Sequence, residues 1–146
     1  MDYVLQTNEL TKQYSGKNVV DHVSMHVRRG DIYGFIGKNG AGKTTLMRVI
    51  AGLTSQSEGS FQMFGGENLS QARRRTGCII ENPALYPSLT AEQNLEVTRL
   101  SLGISDKNAV RDVLNIVGLT DTGKKKVKQF SLGMKQLLAI AVALIG

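Results

Sequence analysis

Residues Gly37-Lys38-Asn39-Gly40-Ala41-Gly42-Lys43-Thr44 fit the spacing G-x-x-x-x-G-K-[ST] at every constrained position. Glycines in such a stretch let the backbone curl so that its N–H groups converge on phosphate oxygens. Lys43 can reach terminal phosphates as a point charge. The Thr44 hydroxyl can ligate Mg²⁺, a hard cation that takes most of its other ligands from phosphate and water. Thr45 adds a second hydroxyl. The motif needs a strand before it and a helix after it. The apolar run Ile32-Tyr33-Gly34-Phe35-Ile36 predicts a strand buried on both faces. Thr44 to Ala51 then predicts a helix closed by Gly52 and favoured as an anion site at its N-terminus. The plainer alternative is a glycine-rich turn that merely joins strand to helix.

The rest of the chain suits an α/β fold. Val4, Leu5, Leu10 and Tyr14 lie among polar residues, as in an edge strand, and Val19 to Val27 predicts a second strand. Arg29-Gly30-Asp31 reads as a turn and Gly59 to Phe64 as a strand. Gly77-Cys78-Ile79-Ile80 reads as another buried strand, with Cys78 a buried structural thiol. Helices follow. Thr90 and Gln93 form a capping-box pattern before Leu95, Val97 and Leu100. From about Asn108, residues Val110, Val113, Leu114 and Val117 share one face, with Gly118 as C-cap. Met134 to Ile145 is apolar nearly all round and is expected to be fully buried.

The 146 residues suit one domain, and 41% hydrophobic residues are enough for a core. The formal charge of +6 fits a nucleic-acid, acidic-membrane or polyanionic small-molecule partner, or simply a solvated basic surface. The densest basic run, Lys124, Lys125, Lys126 and Lys128, lacks the interleaved aromatics of a single-strand nucleic-acid platform. Cys78 is the only cysteine, so no disulfide can form within the chain, as suits a reducing compartment. The N-terminus lacks signal-peptide character, and the longest apolar stretch is too short to span a bilayer. Membrane association is therefore expected through a partner.

The run from Gly30 to Thr45 resembles the Walker A region of ABC-transporter ATPases, and further features follow in that family's order. The likeness extends over essentially all of the chain. It implies a P-loop NTPase core of the ABC type with an antiparallel β edge and a helical subdomain. The expected division is a β/α core over 1–82, a helical subdomain over 83–134 and a signature helix over 135–146. Tyr14 alone reads as a packed strand residue; the resemblance makes it the aromatic that stacks on adenine. Val19 would touch the adenosine. Glu81 stands where the family usually has a glutamine that reaches Mg²⁺ and the attacking water. A carboxylate there can still ligate Mg²⁺ and orient water, whereas the plainer reading is a strand-end surface carboxylate. Phe130-Ser131-Leu132-Gly133-Met134 resembles the family signature with Leu132 and Met134 as departures. Ser131 and the Gly133 backbone would cap the terminal phosphate of ATP held by a second subunit.

By this resemblance the nucleotide contacts are Tyr14, Val19, Gly37, Lys38, Asn39, Gly40, Ala41, Gly42, Lys43, Thr44, Thr45, Ser131 and Gly133. Lys43 and Glu81 are the catalytic candidates, and Thr44 and Glu81 the metal ligands. The implied cofactors are ATP and Mg²⁺. The implied partners are a second ATP-binding subunit and a transmembrane permease, which would hold the protein at the cytoplasmic face of the membrane; no nucleic acid is expected. Glu81, the stretch Asn82 to Thr90 and the form of the signature look most like bacitracin and lantibiotic resistance exporters. The family's downstream Asp-Glu pair and switch histidine are not in this sequence, and His22 and His26 precede the phosphate loop. The expectation is a fold incomplete at its C-terminus and a chain inactive in hydrolysis by itself. The competing classes are a soluble ABC ATPase acting on ribosomes or DNA, and a nucleotide-binding fragment without turnover.

Overall fold

A computed structural model describes residues 2–66, 68–81 and 84–145. The chain forms two compact units, Met1–Arg75 and Thr76–Gly146. Asn82 and Pro83, which carry part of the exporter likeness and flank the boundary expected after residue 82, lie outside the described residues.

The first unit is built on strands β1 (Tyr3–Tyr14), β2 (Lys17–Arg28) and β3 (Glu58–Met63), antiparallel in the order β2-β1-β3. Ser15 and Gly16 join β1 to β2 with φ of 50° and 76°, the positive values that a two-residue hairpin turn demands. β1 was expected at an edge and lies instead in the centre. Its polar residues misled because two of them work inside the sheet. Register shifts between β1 and β2 interrupt the ladder near Glu9 and His22, which take φ of 47° and 46°. Thr7 and Thr11, both buried, fill the gaps. The Thr7 hydroxyl donates to Val23 O at 2.7 Å and accepts from Met25 N at 3.0 Å. The Thr11 hydroxyl donates to Glu9 O at 3.2 Å and accepts from His22 N at 3.0 Å. Each hydroxyl thus stands in for a missing backbone pair.

One sheet face carries Leu10, Val20 and Met25 against Leu46 and Val49 of helix α1 (Lys43–Ile50). Helix α2 (Leu69–Arg74), which the sequence does not predict, is capped by Asn68, whose side-chain oxygen accepts from Ser70 N at 2.9 Å. It has six residues and buries only Ala72, too little for a periodic signal. Arg73 of α2 donates to Ile50 O at 3.1 Å.

Residues 32–36 form no strand, and Ile32 and Ile36 are almost wholly exposed. An apolar run records a tendency to be buried, but strand conformation needs neighbouring N–H and C=O groups to pair with. Among the described residues the sheet has three strands, and none pairs with this segment.

The second unit is helical: α3 (Ala91–Ser101), α4 (Ala109–Val117) and α5 (Leu132–Leu144), with single 3₁₀ turns at Thr120–Thr122 and Val127–Gln129. The capping box forms as expected, with Gln93 N donating to the Thr90 hydroxyl at 3.2 Å and Thr90 N to the Gln93 side chain at 3.0 Å. Val110, Val113, Leu114 and Val117 are buried, and Gly118 closes α4 in the left-handed region. They meet Leu95, Val127, Phe130, Leu138 and Ala141 in one core. At the end of α3 the buried Arg99 guanidinium grips Glu96 through both carboxylate oxygens, at 2.6 and 2.8 Å, and also bonds Ile104 O. That hydrogen bonding holds the Glu96 carboxyl below the usual carboxylate range.

Two expectations fail in this unit. Helix α5 is not fully buried, since Leu137, Ile140 and Leu144 are substantially exposed. Residues 77–80 form no strand, Ile79 is exposed, and Cys78 is an exposed thiol rather than a core residue. The cause is the same as at 32–36: no paired strand flanks the segment among the described residues.

Candidate functional site

Helix α1 starts at Lys43 with Gly42 as its N-cap, at φ 86° and ψ 2°, and no side chain caps it. The first-turn N–H groups of such a helix lack intrahelical acceptors and attract anions. A depression of about 340 Å³, within the range of small-molecule pockets, lies over this end. It is lined by Val19 and by Asn39, Gly40, Ala41, Gly42, Lys43, Thr44 and Thr45. Val19 joins them because β2 passes directly beneath the loop: a Cβ on Gly42 would sit 2.1 Å from Val19 O.

Lys43 folds back over the loop. Its ammonium donates to Gly37 O and, at 2.7 Å, to Lys38 O. Ala41 N closes the turn onto Lys38 O at 3.1 Å. Gly37 and Lys38 therefore shape the loop by holding Lys43, whereas residues 39–45 face the depression. An anion entering here meets a helix start with no side-chain cap, beside Lys43 and two threonines. The Thr44 hydroxyl is a hard oxygen beside a polyanion site, which fits the donor preference of Mg²⁺. Tyr14 ends β1 outside this lining, with its ring half exposed and the Lys12 ammonium 5.0 Å from the ring centroid.

In the second unit, Glu81 takes φ of 61°, a conformation uncommon outside glycine, asparagine and aspartate. It shares a recess of about 400 Å³ with Leu85, Pro87 and Val127 and with Leu132, Lys135 and Gln136 of α5. Ser131 is the N-cap of α5, its hydroxyl accepting from Met134 N at 3.2 Å. Ser131, Leu132 and Gly133 are exposed, so this helix start is open to solvent. The structure thus gathers residues 39–45 with Val19 at one place, and Glu81 with the first turns of α5 at another.

One residue of this second group escapes a motif search. Asn94 lies on α3, is 2% exposed, and spends its whole amide on the backbone of the segment beside the recess. Its only trace in the sequence is a position one helical turn after the Thr90 cap.

Comparison with known proteins bears on the family and the fold. The family model described as ABC transporter matches residues 20–146. The bacitracin transport ATP-binding protein BcrA of Bacillus licheniformis is 47% identical over 148 residues, covering 99% of this chain and 48% of that protein. The lantibiotic transport ATP-binding protein SrtF of Streptococcus pyogenes is 42% identical over 142 residues, covering 97% of this chain and 62% of that protein. A solved structure of an ATP-binding subunit of an ABC transporter superposes with a TM-score of 0.82 at 32% identity, over 97% of this chain and 62% of that one. The chain spans about half the length of the bacitracin-transport relative. Among the described residues no helix is long and apolar enough to cross a membrane. The extent of the family match, the identity to these relatives and the backbone superposition together place this chain in the ABC transporter family.

Proposed function

We propose that this chain is the Mg-ATP-binding portion of an ATP-binding subunit that energises a membrane exporter. The observation that carries the proposal is the uncapped start of α1 beneath a depression lined by Lys43, Thr44 and Thr45. Lys43 holds the terminal phosphates, backbone N–H groups of the loop and first helical turn hold the rest of the chain of phosphates, and Thr44 gives Mg²⁺ an oxygen ligand. Bound Mg²⁺ supplies charge neutralisation across the phosphates. Val19 offers the adenosine an apolar surface and Tyr14 a flat ring for adenine.

Glu81 orients water for hydrolysis in the full-length, dimerised protein. Ser131 and Gly133 cap the phosphate of ATP held by a second subunit. Gly133 supports that role physically. Glycine in a helix costs about 1 kcal/mol relative to alanine, and a Cβ here would meet nothing within 4 Å. Packing within the described chain does not require a glycine, whereas close approach of a phosphate to the backbone does. The likeness to bacitracin and lantibiotic transport ATP-binding proteins supports the reading of an exporter with an antimicrobial peptide as cargo and the subunit at the cytoplasmic face of the membrane through its permease.

The test is calorimetry with Mg-ATP. Lys43→Ala removes the cation aimed at the terminal phosphates, and the expected loss is at least tenfold in affinity, about 1.4 kcal/mol. Unchanged affinity would defeat the assignment of the loop. In the full-length protein with its permease, Glu81→Ala is expected to slow ATP turnover while binding stays largely intact. Full turnover in that variant would make Glu81 a bystander.

A further inference from the structure

Residues 86–90 and 126–130 run side by side and are fastened from two sides. On one side, Leu89 O accepts from Val127 N and Pro87 O from Lys128 N, both at 2.9 Å, and Thr90 pairs with Lys126 in an antiparallel bridge. On the other side stands Asn94. Its side-chain oxygen accepts from Tyr86 N at 2.8 Å, and its NH₂ donates to Tyr86 O at 3.1 Å and to Thr90 O at 2.8 Å. One buried amide thus reads both backbone groups of Tyr86 and one of Thr90, using its acceptor and both donors. The arrangement fixes the orientation of the amide, since a flipped side chain would set donor against donor and acceptor against acceptor.

Residues 86–90, which this clip holds, and 126–130, which pair with them, help build the second group of candidate residues. Pro87 and Val127 line the recess that holds Glu81, and Leu132, Lys135 and Gln136 complete it. Residues 126–130 lead directly into Ser131, the N-cap of α5. Phe130 N donates to Val127 O at 3.0 Å, so the last step into the helix is itself hydrogen-bonded. A shift of residues 86–90 would therefore move the wall of the Glu81 recess and the start of α5 together.

We infer that Asn94 is a positioning residue whose side-chain amide clips residues 86–90 to α3 and so holds the Glu81 recess and the α5 N-terminus in one fixed geometry. This rests on the ATPase role proposed above for Glu81 and Ser131. Reactions that run on positioning and charge placement lose rate steeply with small displacements. Removing the clip should lower turnover without weakening ATP binding, because the phosphate loop uses none of its bonds.

Asn94→Ala tests this, with Val113→Ala as a comparison that loosens the same helical core without touching the clip. Amide hydrogen exchange on the 146-residue chain is expected to show Tyr86, Val127 and Lys128 exchanging at least tenfold faster in Asn94→Ala than in the parent. Val113→Ala should lack that localised effect. In the full-length protein assembled with its permease, at a temperature where both variants are folded, Asn94→Ala should lower kcat at least fivefold with KM for ATP within twofold. Val113→Ala should leave both constants near the parent values. The inference is overturned if those amides are no faster in Asn94→Ala, if kcat holds although they are, or if Val113→Ala loses as much kcat. Failure of the ATPase proposal would show differently, as parent turnover that survives Lys43→Ala.

Discussion

Gly42→Ala is expected to abolish measurable Mg-ATP binding, with a loss of at least a hundredfold, about 2.7 kcal/mol. Two penalties act at this one position. At φ 86° a side chain is strained, at a cost of roughly 1–2 kcal/mol by itself. The added Cβ would also stand 2.1 Å from Val19 O and 3.1 Å from its carbonyl carbon. Backbone atoms of a paired strand cannot swing aside as a side-chain tip can. Relief would require β2 to move at Val19 and at Val20, which is buried beside Leu10 and Leu46, or the start of α1 to lift off the sheet. Either movement separates Val19 from the loop and re-aims the first helical turn. Gly40→Ala is the informative contrast. Gly40 also has a positive φ, 82°, but a Cβ there meets nothing within 4 Å, so the loss should be distinctly smaller. Isothermal calorimetry on both variants measures the difference. An affinity for Gly42→Ala within threefold of the parent would mean that the loop tolerates displacement from β2.

Leu95→Ala should cost about 2–5 kcal/mol of stability, the range for emptying a fully buried leucine site. Leu95 is 0% exposed and packs among Ala91, Val110, Val113, Leu114 and Leu138. Its neighbours come from α3, α4 and α5, so no single helix can move to close the gap without breaking contacts elsewhere. Against a total stability of order 5–15 kcal/mol for a folded protein, the loss is large. Urea denaturation followed by helical circular dichroism should show a lower midpoint with a similar slope. Leu95→Met, which nearly conserves volume, should cost under about 1.5 kcal/mol. Equal midpoints for Leu95→Ala and the parent would show that the three helices do not depend on this contact.

The elements legible in the sequence are those whose cause is local. The capping box at Thr90 and Gln93, the buried face of α4 and the left-handed Gly118 each arise within one or two helical turns. The spacing of Gly37, Gly42, Lys43 and Thr44 likewise announces the loop and the helix after it. What that spacing does not announce is the carbonyl of Val19 beneath Gly42, or the return of the Lys43 ammonium to Gly37 O and Lys38 O.

Misreadings occur where the cause lies far along the chain. Residues 32–36 and 77–80 carry strand-like composition, but a strand exists only where another strand meets it. β1 looks like an edge because Thr7 and Thr11 look like solvent-facing residues. Their hydroxyls in fact serve backbone groups 11 to 18 positions away, at bulges that no pattern of apolar residues encodes. The all-apolar composition of α5 suggests burial on every side, yet Leu138, Ala139 and Ala141 are covered while Leu137, Ile140 and Leu144 stay exposed. Asn94 is an ordinary polar residue by sequence, and its weight comes from three backbone partners that the fold brings to one amide. Sequence alone determined the glycine-rich spacing, the starts of α3 and α4 and the family likeness, because these depend on residue types, backbone torsions and hydrogen bonds among near neighbours. Only the tertiary structure decided which apolar runs are covered, which strand lies in the centre and what stands beneath each glycine, because those follow from which distant segments meet.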